Sequence, residues 1–254
     1  MNKLFISGLL FIFAITPYSL KAQQSSVPRV DSVALHILDK VSAGIQNLNS
    51  CSFRTTAYYD VWVDGLGYVK HSNVSEVAMA FPNKIKVHTT GDKGTHSIWY
   101  NGSIFTYYTK KNNQYSQFKF EGTIIQVIDS VNNSYGIEFP AADFFYPGFV
   151  SDLLNTGGNL IYVGTTPVDD KMCYHIAGND INGTVFQFWI TDDESWLPCK
   201  MSISYKEDSG SAQYEAIYSG WIINSDIPPA MFNFETPPSS NKVKLVKTSS
   251  YENL

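Results

Sequence analysis

The sequence predicts a mainly β protein with some helix: one curved antiparallel sheet, an incomplete barrel, with helices plugging its concave face. Three observations predict it. The 254 residues are 15% aromatic and only 16% charged, with 16 Tyr and 16 Phe, and rings suit half-buried pleated surfaces. Most of the chain alternates apolar and polar residues between Gly, Asn and Pro turn signals. That alternation gives way to a 3.6-residue period twice, once at the start and once in the middle.

The first 22 residues, MNKLFISGLLFIFAITPYSLKA, read as a secretory signal peptide. Lys3 supplies the positive start, Leu4 to Ile15 a short apolar run, and Ala22 a small residue at a cleavage position. The run is shorter than the roughly 20 residues that span a bilayer, and no later stretch approaches that length. With no Cys at the cleavage point, lipid anchoring is not expected. The mature chain, residues 23–254, is therefore expected to be exported and soluble, and one domain is the simplest account of it. Cleavage would remove Lys3 and Lys21 and no acid, taking the formal charge from −5 to −7. No basic block or Lys/Arg stripe offsets that charge, which disfavours nucleic acid as a partner.

Residues 29–48 place Val30, Val33, Ile37, Leu38, Val41, Ile45 and Leu48 on a helical stripe, with Asp31 as its cap. Strand patterns follow from Cys51, turning at Asp64–Gly67 and again at Asn101-Gly102, a strong hairpin signal. The stretch GTIIQVIDSVNN returns to helical spacing, and ADFFYPGFVSDLL predicts one or two short helices broken at Pro147-Gly148. Strands then resume over 159–168, 171–178, 184–206 and 211–223, and the tail from about Asn241 is expected to fray. In the strand closing the 184–206 stretch, Leu197, Cys199, Met201, Ile203 and Tyr205 share one face. Phe186 and Phe188 instead alternate with Val185 and Trp189, so both faces there are apolar, as they are around Ile104–Tyr108.

Catalytic signals are sparse. No zinc-protease, nucleophile-elbow, phosphate-loop or Cys-x-x-Cys motif occurs. Cys173 and His175 share a strand face but read as core side chains, and no metal or cofactor is expected. The acidic turns Asp169-Asp170 and Asp192-Asp193-Glu194 read as solvated, although with His175 they could serve a hydrolase. On a simple meander Cys173 and Cys199 lie two strand spacings apart, about 9–10 Å, too far for a bridge. Free buried thiols are expected at Cys51, Cys173 and Cys199.

Several stretches resemble one bacterial exported family, the domain of unknown function 2092. They are FPNKIKVHTTGD, WYNGSIFTYYTKKNNQYSQ, GIEFPAADFFY, YVGTTPVDDKMCYHIAG, FQFWITDDESWLPCKMSISY and the later Trp221. The most specific parts are Gly136, Pro140 and Asp143, and the run from Cys173 and His175 through Gln187, Trp189, Leu197 and Pro198; Cys199 stands where a basic residue is expected. The resemblance spans roughly Val30 to Pro238. It implies a fold like that of the periplasmic lipoprotein carriers and their outer-membrane receptors, in which an apolar cavity takes acyl chains. It brings no catalytic residues.

Composition and resemblance together lead to a non-enzymatic periplasmic protein that binds or carries a hydrophobic ligand, such as lipid or a lipoprotein's acyl chains. The alternative is a protein-docking module with a filled core. The expected ligand-contacting residues are Ile124, Ile128, Phe144, Phe145 and Phe149 on a lid spanning 123–154, facing Phe53, Tyr59, Trp99, Phe105, Phe188, Met201 and Ile203 on the sheet.

Overall fold

A computed structural model describes residues 28–139, 142–206 and 210–247; the signal peptide expected over 1–22 lies outside them. The first helical stripe forms α1 (Ser32–Gln46), started by Asp31, whose carboxylate accepts a hydrogen bond from the Val33 N–H at 2.8 Å. Its buried face is Ala34, Ile37, Leu38, Val41 and Ile45, the i, i+3, i+4 spacing of a helix lying on a core.

Six strands follow: β1 (Ser50–Val63), β2 (Gly67–Ala80), β3 (Lys84–Gly91), β4 (Gly94–Tyr100), β5 (Ile104–Thr109) and β6 (Gln114–Lys119). Next come α2 (Ile124–Tyr135), a 3-10 turn at Asp143–Phe145 and α3 (Phe149–Asn155). The second set of strands is β7 (Leu160–Val168), β8 (Lys171–Asn179), β9 (Val185–Thr191), β10 (Pro198–Ser204) and β11 (Gln213–Ile223). A 3-10 turn at Pro229–Phe232 and a two-residue β12 (Asn241–Lys242) close the chain.

All twelve strands form one open sheet, ordered β12-β6-β5-β4-β3-β2-β1-β11-β10-β9-β8-β7. Neighbours are antiparallel except β12, which runs parallel to β6. Two meanders therefore meet at β1 and β11. This order dictates the helical insert: β6 and β7 lie at opposite flanks, so the chain between them must cross the sheet's whole width. Its described residues cross over the concave face and cover part of it.

Register decides which residues line that face. Phe53, Val77, Val87 and Ile98 form one row across β1–β4, and Ala216, Met201, Phe188 and Ile176 another across β11–β8. These residues, the α1 stripe and Ile124, Val127, Ile128 and Val131 of α2 make one core. Each such side chain fully buried contributes about 1.5–3 kcal/mol. Thr123 and Gln126 fix the start of α2 reciprocally, side chain to backbone at 3.3 and 2.9 Å, and Gly136 ends it in the left-handed region at φ 62°.

Three expectations are corrected. The tail expected to fray from about Asn241 is paired at its start, where residues 241–242 pair with Gln114 and Tyr115 and Val243 donates to the Tyr115 carbonyl at 2.8 Å; its residues 248–254 lie outside the described ones. The alternation through β10 breaks at a bulge between Pro198 and Lys200. Met201 and Ile203 keep the concave face, whereas Leu197 and Cys199 are buried outside the main core. The same bulge brings the Cys199 Sγ to 2.8 Å from the Cys173 Sγ, not the distance of two strand spacings.

The C-terminal segment explains the second apolar face of β4–β6. Phe234 lies 5.1 Å from Trp99, 5.1 Å from Tyr115 and 6.2 Å from Tyr108, ring centre to ring centre. Asn233 accepts a hydrogen bond from Asn101 at 3.0 Å, pinning the strap. Aromatic pairs contribute roughly 0.5–1.5 kcal/mol each, so Phe234→Ala is expected to cost about 1–2 kcal/mol in urea unfolding and to shift Trp99 fluorescence toward the red. An unchanged emission spectrum and midpoint would mean that the strap is not seated there.

Candidate ligand-binding face

The expected site residues fall into three groups. Phe53, Phe105, Ile124, Ile128, Phe144, Phe145, Phe149, Phe188 and Met201 all lie in the concave core, none more than 6% exposed. Tyr59 and Ile203 share that face but are only half-buried, toward its open end. Trp99 does not belong with them. On β4 the concave positions are Ile98 and Tyr100, both fully buried, so Trp99 points to the convex face and meets Phe234. Both faces of that strand are apolar, so alternation alone does not choose between them, and the structure places the ring on the convex one.

The closed part of the face is built of rings. Phe53 stacks on Trp221 at 4.3 Å and on Phe145 at 5.6 Å. Phe144, Phe149 and Phe188 form a triangle with sides of 4.9, 5.3 and 5.4 Å. Tyr218, 5.9 Å from both Phe53 and Phe144, joins the two groups, and burial pushes its hydroxyl well above its usual pKa. The rings occupy the space between helices and sheet, so the closed part is a filled core in this structure.

The open part is a row of half-buried side chains: Tyr59 of β1, Tyr214 of β11 and Ile203 of β10 are cross-strand neighbours. On the other side of β1 the row passes to His71, whose ring lies 5.9 Å from that of Tyr59. Further along the face, His96 and Tyr107 pair at 5.7 Å. Burial, and then the neighbouring His88, hold the His96 imidazole below its usual pKa, so it is neutral at pH 7. The row thus offers aromatic surface with hydroxyl and imidazole edges.

The segment over the rings is attached in an unusual way. Among the described hydrogen bonds, those of residues 136–139 and 142–155 close within the segment, onto α2, or onto Thr156 and Gly157 just beyond it, where the Thr156 carbonyl accepts from Ile181 at 3.1 Å; the exception is one from the Gln46 side chain to the Pro147 carbonyl at 3.3 Å. Tyr146 donates to Asp129 of α2 at 2.7 Å. No described backbone bond ties these residues to a strand. Phe144, Phe145 and Phe149 therefore hold the segment down by burial. Where α3 meets α1, an open groove of about 510 Å³ runs between Leu35, Ala43, Pro147, Val150 and Leu154.

The polar candidates are separate from this face. His175 stacks on Trp189 at 4.4 Å with its Nε2 3.0 Å from the Gln187 amide oxygen, and Lys200 lies over the same Trp189 ring at 5.1 Å. This outer cluster is what the second apolar face of β9 packs against. Asp193 caps its own turn, accepting from Ser195 N–H at 2.8 Å and from the Thr191 hydroxyl at 2.9 Å. Among the described residues no group of three or more His, Cys, Asp or Glu converges to hold a metal.

Sequence reasoning missed Tyr214, Tyr218, Trp221 and Tyr107. Tyr214, Ala216 and Tyr218 sit at the period of two that marks a shared face, so a signal existed. What it lacked was the pairing of β11 with β1, which brings Tyr218 opposite Thr55 and beside Phe53.

A family model described as "predicted periplasmic protein (DUF2092)" matches residues 34–246. No curated protein matches the chain. Solved structures that resemble it include an uncharacterized conserved protein from Thermus thermophilus, at 10% identity and a TM-score of 0.49, covering 84% of this chain and 99% of that one. Lipoprotein LppX from Mycobacterium tuberculosis matches at 17% identity and a TM-score of 0.46, over 78% and 98% of the two chains. A LolA-superfamily protein from Nitrosomonas europaea matches at 12% identity and a TM-score of 0.36, over 79% and 97%. All three scores lie below 0.5, so function is argued from the chain's own side chains.

Proposed function

The chain belongs to the periplasmic family DUF2092, and from that premise we propose that it is a non-enzymatic binder or carrier of a hydrophobic ligand, such as lipid or a lipoprotein's acyl chains. The ligand would enter between the sheet and the segment 136–155. The observation that supports this reading is the attachment of that segment: among the described residues, buried rings and few hydrogen bonds hold it to the rest of the molecule. A layer held this way can lift without leaving strand N–H or C=O groups unpaired, a loss that costs about 1–3 kcal/mol per buried group. An apolar ligand could then replace the rings at about 0.8 kcal/mol per buried methylene. The groove between α1 and α3 and the half-buried row at Tyr59 and Tyr214 would serve as its two mouths.

The hydrolase reading is weaker. Its His175 is stacked on Trp189 and bonded to an amide. A Ser–His contact does occur, His88 Nδ1 to Ser97 Oγ at 2.7 Å, but it lies mid-sheet on the convex face. Backbone N–H groups there belong to the strand ladder, leaving no donors for an oxyanion.

Hydrogen exchange tests the proposal. Amides of 143–155 should exchange sooner than those of β1, β2 and β11, and palmitate, or a detergent below its micelle threshold, should slow them. The same ligand should raise overall stability by RT ln(1 + [L]/Kd). If the segment is as protected as the strands and no acyl ligand changes it, the rings are a permanent core and the docking module takes precedence.

A further inference from the structure

We infer that Cys173 and Cys199 form a disulfide in the exported protein, and that this bond locks the β9–β10 loop onto α1. All three cysteines are free thiols in this structure, as the sequence leads one to expect, but the Cys173 thiol donates to the Cys199 sulfur at 2.8 Å, an apposition from which a bond of about 2.03–2.05 Å needs only a small approach; Cys173 is fully buried and Cys199 4% exposed. The pair lies outside the main core, whereas Cys51 is a member of it. The periplasm is an oxidising compartment in which apposed thiols are converted to disulfides. Burial raises all three thiols, Cys51 to about 12 and Cys199 further still, so it is position and not acidity that separates the apposed pair from the lone Cys51.

The bond would be made while the chain folds, before both sulfurs are covered. A disulfide-bearing oxidant, protein or small molecule, accepts attack by one Cys thiolate and releases its first thiol. The second Cys thiolate then attacks the mixed disulfide and releases the other. Two electrons pass to the oxidant's disulfide, and the two cysteine protons end on the two thiols it leaves as.

The consequence lies in the loop between the strands that the bond would staple. Trp196, at φ 51°, stacks on Tyr174 of β8 at 5.4 Å and meets His36 of α1 edge-on at 6.5 Å. A Cβ added at Gly44, two turns further along α1, would stand 3.9 Å from the Ser195 carbonyl. The loop thus clasps α1 from the sheet side. With Cys199 tied to Cys173 at its base, the clasp is held in register with β8. This goes beyond ligand binding and does not depend on it.

Exported full-length protein, acid-quenched, denatured and alkylated without reductant, should label only Cys51; after reduction all three cysteines should label. Peptide mapping should recover one linked pair, Cys173 with Cys199. Labelling of three thiols without reductant, or a bridge that includes Cys51, overturns the bond. On mild reduction of the native protein, amides of 192–198 and of α1 should exchange at least about tenfold faster while β2–β4 hold. A Cys173→Ser/Cys199→Ser double variant should match the reduced protein. If the bond is present and neither treatment changes exchange in the loop or α1, the locking role is wrong.

Discussion

Met201→Asp is expected to remove most or all of the protein's stability at neutral pH. Met201 is 1% exposed, pairs across strands with Ala216 and Phe188, and accepts the Tyr218 hydroxyl on its sulfur at 3.2 Å. Buried carboxyls are raised by up to about 3–5 pKa units, and at 1.36 kcal/mol per unit that is roughly 4–7 kcal/mol. Domains are stable by only about 5–15 kcal/mol. The sign of the pH dependence follows. A folded-state pKa above the unfolded value of about 3.9 leaves the variant least impaired below that value, and its deficit grows as pH rises through the folded pKa. Urea unfolding at pH 5 and pH 8 measures both effects. A loss under about 0.5 kcal/mol, flat with pH, would place residue 201 on the outside of the sheet.

Phe53→Ala is expected to cost about 3–5 kcal/mol, the usual range for emptying a buried ring site. Phe53 is 4% exposed and stands between Trp221 and Phe145, so its removal loosens the sheet and the covering segment together. Because Phe145 is held by ring packing, amides near 143–149 should lose more protection than the strands do. The space left is apolar, and such cavities stay dry and accept small hydrophobic molecules. Benzene or a short fatty acid should therefore restore part of the lost stability. A loss below about 1 kcal/mol, with no response to an apolar ligand, would show that the rings do not bear on one another.

Which elements exist was readable from periodicity. The stripe from Val30 to Leu48 became α1, and the Pro147-Gly148 break separated a 3-10 turn from α3. Period also tells which residues share a face, as with Phe53 and Ala57. It does not tell which layer covers that face. On β4, Ile98 and Trp99 are equally apolar, and only the C-terminal strap, arriving from more than 130 residues away, decides that Trp99 belongs to the convex side. Bulges are hidden for a related reason: the one extra residue at Pro198–Lys200 reverses the faces before it, so Cys199 parts from Met201 and meets Cys173. Of the candidate face, the ring positions on the insert were legible because they are too apolar for a surface loop. The half-buried row at Tyr214 was not, because its position depends on β11 reaching back to β1.

The two rims of the sheet bear on how this protein can display a ring-lined face in a crowded compartment. An open sheet offers an unpaired strand at each rim, a template on which a second copy can add its own strand. Here segments from both ends of the described chain lie on those rims. Residues 241–243 lie along the start of β6, and at the opposite rim Val30 bridges Leu160, with the Leu160 N–H and carbonyl both taken by Arg29 and Asp31. Further along β7, a bulge between Tyr162 and Gly164 bends the strand, and Pro167 has no N–H to give. Strand-by-strand growth is hindered at both rims, and under the proposed function the covering segment would lift with less risk that the exposed sheet seeds a fibre.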